Sequence, residues 1–589
     1  MKFSAARFFT LIFYILSVVS PVSAELFPRT YDVDTGFRPN SNGFSFENYG
    51  NYACSDTYCN RTFPVENLTS NEMRRMFGDK ICKKIFPDGS CELLKVAESW
   101  MDEVNEAMDG GHCEGMAVLS ALFFAGIKDP LTFGKPSVNS LRLEGNIPLQ
   151  NEIAYWYATQ WYMDDYLIEE DPNTQLQILI EEFQNHPNVL IPVGIYKRDF
   201  SGGHAITAYA VQEKEDGIFW IMVYDNNYPG EERHIIVDTK NNSWEYSGAS
   251  MTDLAEELYD GEWHINPFQL APINSRLGEF ECDFCPAVSS SLPAVEGEGG
   301  SEPDSSPLPE LLFPESSPTE TESTPETAGP WDSPAAAFNK IGVDSEINIY
   351  IESEDGLKSG YDWEDAVTYK EIPNVEIKRS LQRTTAKLPT DLVYYLWLNS
   401  PENEDWTTFD VDITSPGTIL YLTDVLESYE YPNLIYTPPV YDADTDVHYE
   451  QFEVVASPGY LPGVEFVISD EYGEYSFAFV TEFTGDTDLE ANIDFLIYHD
   501  YDSGQLGIEI YAADEEELAQ FEDATFRIYG DFSIDNEIGE QVISTPPDNP
   551  IELSITGPFT LIIWHGKMIM NISLTPIWTE ITNWKRQSN

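Results

Sequence analysis

The chain reads as an α+β domain followed by an all-β region, with a disordered tether between them. Three observations predict this. Between Glu25 and Pro286, runs with helical periodicity come first and strand-like runs follow. From 287 to 334 the sequence is dominated by Ser, Pro, Glu, Thr and Gly, with no Lys or Arg and few large apolar groups. Such a segment cannot offset its ordering entropy by burial. From 335 to 589, β-branched and aromatic runs alternate with Gly, Pro, Asp and Ser at short intervals, which predicts one or two antiparallel sandwich modules with a candidate seam near Pro438 to Asp446.

Taken in order, the first 24 residues read as a secretory signal. Lys2 and Arg7 precede an apolar run from Phe8 to Val19, and Pro21-Val22-Ser23-Ala24 supplies the small residues of a cleavage site. A run of about 12 apolar residues is short for a membrane span. In the α+β domain, Leu94, Ala97, Trp100, Met101, Val104 and Met108 share one face of a helix over Glu92 to Met108. The run from Met116 to Ala125 predicts a buried helix, and further helices are expected at Asn151–Glu169 and Thr174–Asn185. Strands are expected at Val189–Ile195, His204–Val211, Ile218–Tyr224 and His234–Val237. In the β region the clearest strands are Ile347–Ile351, Leu392–Trp397, Tyr475–Val480 and Ile493–Tyr498.

The 589 residues carry 102 acidic side chains against 31 basic ones, a formal charge of −71. That balance argues against nucleic acid or an anionic lipid surface as a partner, since both are held by Lys and Arg clusters. It suits a highly solvated exported protein. A hydrophobic content of 42% is enough to bury cores in several domains.

Seven cysteines are an odd number for an exported chain. Cys54/Cys59, Cys82/Cys91 and Cys282/Cys285 are close couples in sequence, whereas Cys113 has no neighbour. The simplest assignment leaves Cys113 as the free thiol, although six cysteines admit other pairings. Cys282-Asp283-Phe284-Cys285 also fits a redox or zinc motif; its export context and the adjoining tether favour a clasp. Cys113 lies in Asp109-Gly110-Gly111-His112-Cys113-Glu114-Gly115, where two glycines permit a sharp turn into an apolar helix. A thiol at a helix start faces bare backbone N–H groups and the positive end of the dipole, which favours thiolate. Free cysteines are often core residues, but the polar flanks, the turn and the oxidising compartment weigh against that here.

A nucleophilic cysteine needs a base and a group to orient it. Among eight histidines, His204 stands out in Ser201-Gly202-Gly203-His204, at the mouth of an apolar strand. A turn at Asp216-Gly217 then brings the next strand back, so its end, Asp225-Asn226-Asn227, returns beside His204. Asp225 is the first candidate to accept the imidazole N–H and Asn226 the second.

With Cys at a helix start, His opening a strand and Asp or Asn after the next strand, the stretch from Leu93 to Tyr246 resembles the papain-like cysteine peptidase superfamily. Val189-Leu190-Ile191-Pro192-Val193-Gly194-Ile195, followed by Gly203-His204-Ala205, is similar to the double-glycine leader peptidases. The Cys113 segment, running on to Gly126-Ile127, resembles bacterial transglutaminase-like domains. The resemblance implies a Cys113–His204–Asp225 triad acting on a peptide or isopeptide bond of a protein substrate by hydrolysis or transfer, with no cofactor. Papain-like enzymes carry a Gln about six residues before the Cys for the oxyanion hole. Here that position is Ala107, and Asn105 is the nearest amide, leaving the Cys113 backbone N–H as the main donor. Asn242-Ser243-Trp244 echoes the Asn-Ser-Trp of true papains but follows an extra strand.

Asp442, Asp444, Asp446 and Glu453 fall at positions one, three, five and twelve of a calcium loop, yet Val447 occupies the place that needs Gly, so chance spacing is the better explanation. Asp514-Glu515-Glu516-Glu517 reads as a solvated face. Asn60, Asn67, Asn241 and Asn571 head glycan sequons, relevant in a host that glycosylates. The β region is expected to target the enzyme to a cell-surface ligand. The competing reading is a non-catalytic extracellular adhesion protein on a papain-like scaffold.

Overall fold

The computed structural model describes 32–55, 59–163, 166–168, 170–198, 202–247, 258–262, 266–286 and most of 338–572. The signal reading at 1–24 and the tether reading at 287–334 lie outside the described residues. No helix among the described residues is long and apolar enough to cross a membrane.

The N-terminal part is an α/β region in which helices precede the sheet. Its longer helices are α1 (Ser70–Phe77), α2 (Lys95–Ala107), α3 (Cys113–Phe124), α4 (Ile147–Ala158) and α5 (Pro172–Asn185). Local chemistry sets several of their ends. Thr69 and Glu72 form a capping box at α1, and Asp171 accepts from Asn173 N and Thr174 N at α5, where Pro172 enters first. The helix expected over Asn151–Glu169 starts four residues earlier and gives way after Ala158 to a 3₁₀ turn, Thr159–Tyr162. Thr159 Oγ1 donates to Trp156 O and Gln160 Nε2 to Tyr157 O, so side chains take the last carbonyls.

The strands of the main sheet are β1 (Val33–Asp34), β2 (Ile191–Tyr196), β3 (Gly203–Glu215), β4 (Ile218–Asp225), β5 (Arg233–Asp238), β6 (Ser243–Ser247), β7 (Leu258–Glu262) and β8 (Gln269–Leu270). They form one antiparallel sheet in the order β7-β6-β5-β4-β3-β2-β8, with β1 paired to β3. Helix α3 is buried along almost its whole length. It lies between this sheet and α4 and approaches α4 so closely at Gly115 that an added Cβ would sit 2.1 Å from Ile153 O. Three disulfides, Cys54–Cys59, Cys82–Cys91 and Cys282–Cys285, trim the edges of the region. The first two staple short hairpins. The third flanks Phe284, which stacks on Trp100 of α2 at 5.5 Å.

The C-terminal part is almost entirely antiparallel strand, from Phe338–Asp344 to Lys567–Ile572. Its hairpins alternate between two ladders. Thr418–Leu426 pairs onward with Gly463–Asp470, while the hairpin between them, Leu434–Asp442 with Val447–Val455, pairs with Tyr394–Asn399 and Ile493–Asp500. Of the stretch proposed as a seam, 438–442 lie in the first strand of this hairpin, and 443–446 lie outside the described residues. The β region meets α2, where Ser99 Oγ donates to Tyr421 Oη and Tyr421 Oη donates to Glu103.

Gly115→Ala gains helix propensity of about 1 kcal/mol but drives a methyl into backbone that cannot step aside. The net expected loss is about 1–3 kcal/mol in a urea melt, and an unchanged midpoint would show that α3 and α4 are free to separate.

Candidate functional site

The first half of the site is the start of α3. Gly111 takes φ +133, a conformation open to glycine alone, and turns the chain so that Cys113 becomes the first helical residue. No side chain caps this end, so the first-turn N–H groups carry no intrahelical or capping partner. Cys113 is the unpaired cysteine and is 5% exposed.

The second half is the β3–β4 hairpin. His204 is the second residue of β3, and Asp225 is the last of β4, opposite Ile206. His204 and Ile206 project to the same face, which makes His204 and Asp225 diagonal neighbours. His204 Nε2 lies 2.8 Å from Asp225 Oδ1, and the Cys113 sulfur is near enough to the same ring to help raise its pKa. His204 is 5% exposed and Asp225 fully buried.

Burial alone would push the His204 ring toward neutrality. The Asp225 charge and hydrogen bond and the Cys113 sulfur outweigh it, holding the imidazole proton to about pH 10 against an ordinary 6.5. Burial likewise opposes the Asp225 anion, but His204, Tyr246 and the Asn227 N–H keep its carboxyl below the usual range. The Tyr246 hydroxyl, from β6, donates to Asp225 Oδ2, and Asn227 N donates to Oδ1 at 2.8 Å. Asn226 does something else. Its Nδ2 donates to Cys113 O and to Ala205 O, both at 3.0 Å, and so fastens the helix start to the histidine strand.

The polar neighbours of Cys113 point away from it. His112 stacks on Tyr49, with Nδ1 2.7 Å from Tyr49 O and Nε2 2.9 Å from Asn67 Oδ1. Burial pulls its pKa down to about 4, against the upward pull of Tyr49 O and Asp109. Glu114 is paired with Arg276 in the interior, and Arg276 Nη1 donates to Thr159 Oγ1 at 2.8 Å. Asn48, from the loop ahead of the first disulfide hairpin, reaches both halves. Its N–H donates to Asn226 O at 2.9 Å, and its Oδ1 accepts from His112 N at 2.7 Å.

The other sequence candidates lie elsewhere. Asn105 gives Nδ2 to Leu68 O and takes Leu68 N on Oδ1, so its amide is spent on that backbone and is not turned to the sulfur. Asn242 accepts from Asn173 N, and the indole of Trp244 donates to Asn266 O; this tripeptide anchors α5 and the sheet edge. Asp444 and Asp446 lie outside the described residues. Asp442 pairs with Val447 at the hairpin end, whereas Glu453 pairs with Ile435, seven residues along the strand or roughly 20 Å away. Asn67, which heads a sequon, gives Nδ2 to Asn51 Oδ1 at 2.7 Å and to Asn105 O at 3.3 Å. Sequence reasoning missed Tyr246 and Asn48, for neither carries a local signal: each meets the site only through the sheet or a loop crossing.

No protein-family model, curated protein or solved structure matches this chain.

Tyr246→Phe leaves a buried carboxylate oxygen short of a donor, which costs about 1–3 kcal/mol in denaturant melts; an unchanged melt would mean Asp225 draws nothing from this hydroxyl. The unfolded chain protonates His112 near 6.5 while the folded ring holds out to about 4, so stability is lost as pH falls across that interval. His112→Gln should flatten that part of a stability–pH curve, and a curve of undiminished slope would assign the acid sensitivity to other groups.

Proposed function

We propose that the chain is an exported papain-like cysteine peptidase or acyl transferase that acts on peptide or isopeptide bonds of a protein substrate, with the β region serving to target it. The observation that carries the reading is the buried His204–Asp225 pair, 2.8 Å apart, with the unpaired Cys113 near enough to help hold the proton of the ring. Cys113 attacks the carbonyl as thiolate. His204, charged through neutral pH, protonates the departing amine, and Asp225 with Tyr246 fixes the ring. Water or an amine then takes the acyl group from sulfur. Three disulfides and an unpaired thiol fit an oxidising compartment, where an idle thiol is seldom kept. The −71 charge suits a highly solvated surface.

One observation favours the non-catalytic reading, in which the same core serves as an adhesion scaffold: Cys113 and His204 are each only 5% exposed. Alkylation separates the two. Iodoacetamide should modify Cys113 faster in folded protein than in urea, and His204→Gln should slow that reaction by about tenfold or more. Gln is chosen because it keeps an N–H for Asp225, whereas His204→Ala strands a buried carboxylate at a cost of about 3–5 kcal/mol. Acyl transfer should fail as pH rises through about 10, where His204 loses its proton. A folded thiol slower than the unfolded one would overturn the enzymatic reading.

A further inference from the structure

Acyl transfer through a thiolate builds negative charge on the carbonyl oxygen, and that oxygen needs donors already in place. The Cys113 N–H is one, at the uncapped start of α3. The usual second donor, a side-chain amide shortly before the cysteine, is missing: Ala107 has none, and Asn105 is bound to Leu68 on both amide atoms.

We propose that Asn48 supplies it, and that its Nδ2, with the Cys113 N–H, forms the oxyanion hole of this site. Three features place it there. Its Oδ1 accepts the His112 N–H at 2.7 Å, one residue ahead of the sulfur, and its own N–H is held by Asn226 O at 2.9 Å. The carboxamide is thus tied to the helix start and to the hairpin end that carries Asp225. Its Nδ2 lies over Gly111, where an added Cβ would stand 2.8 Å from it, so the glycine turn makes room for this amide. Among the described residues, Nδ2 has no acceptor. Asn48 is half-buried, while Cys113, His204, Asp225 and Asn226 are buried.

The step is ordinary acyl transfer. A sulfur lone pair forms the S–C bond while the carbonyl π pair moves to oxygen, where Asn48 Nδ2 and Cys113 N donate to it. The pair then returns, the bond to the leaving group breaks, and a thioester remains until water takes the acyl group. The proposal rests on the acyl-transfer reading above.

The test compares two reactions of the same sulfur. Acylation by p-nitrophenyl acetate passes through an oxyanion; alkylation by iodoacetamide does not. Asn48→Asp keeps the acceptor for His112 N but removes the donor, and Asn48→Ala removes both without adding charge; each variant is assayed on its own pH plateau. The nitrophenolate burst rate should fall by about 100- to 1000-fold in both, with alkylation changed by no more than about threefold. Equal slowing of the two reactions would overturn the proposal and make Asn48 a support for the helix start. Acylation at the wild-type rate in either variant would overturn it as well, leaving the triad standing. Failure of the acyl-transfer reading looks different: the wild-type folded thiol would then resist both reagents.

Discussion

The site depends on a buried ion pair. Placing the Asp225 carboxylate and a charged His204 ring inside a protein is costly unless every lone pair and proton finds a partner. Here the carboxylate receives the imidazole N–H on one oxygen, together with the Asn227 N–H, and the Tyr246 hydroxyl on the other. The imidazole gives Nε2 to the carboxylate, and the Cys113 sulfur adds to the pull on its proton. The result is a ring charged across the neutral range in a place where burial alone would discharge it.

That pair reaches the sulfur only because two otherwise separate units are fastened together. Asn226 bridges Cys113 O and Ala205 O, and Thr207 Oγ1 donates to Ala117 O one helical turn further on. On the far side of α3, Gly115 lets the helix lie directly on α4. The polar residues that flank Cys113 in sequence serve this packing: His112 fills a site between Tyr49 and Asn67, and Glu114 meets one of the chain's few arginines in the interior. In a chain with so large an acidic excess, a buried arginine at that carboxylate keeps the surroundings of the sulfur from gathering uncompensated negative charge.

The β region shows how far strand patterning carries. Alternation and turn residues place Leu392–Trp397 and Ile493–Tyr498 within about two residues of the strands found, because a pleated ladder with one covered face demands that alternation. Patterning says nothing about which strands pair. The alternation of hairpins between two ladders is a long-range outcome, and so is the separation of Asp442 from Glu453, adjacent as a motif and far apart once their segments straighten into strands.

What the sequence by itself determined was the set of chemical groups and their local setting. A turn of glycines ahead of an apolar run can only deliver Cys113 to a helix start. An odd cysteine among close couples is left over, and a histidine at the mouth of an apolar strand faces the end of the next one. The tertiary structure decided the distances. Continued without a break from Glu215–Ile218, the β3–β4 ladder would set Asp225 opposite Ala208; two register shifts, between Ala208 and Ala210 and between Glu213 and Glu215, bring it opposite Ile206 and into reach of His204. Tyr246 and Asn48 come from a strand two places along the sheet and from a loop some 60 residues upstream of the sulfur, and only folding sets them beside Asp225 and the start of the Cys113 helix. Residue type and local conformation are read within a few neighbours, whereas register, bulges and loop crossings are settled by the packing of the whole sheet.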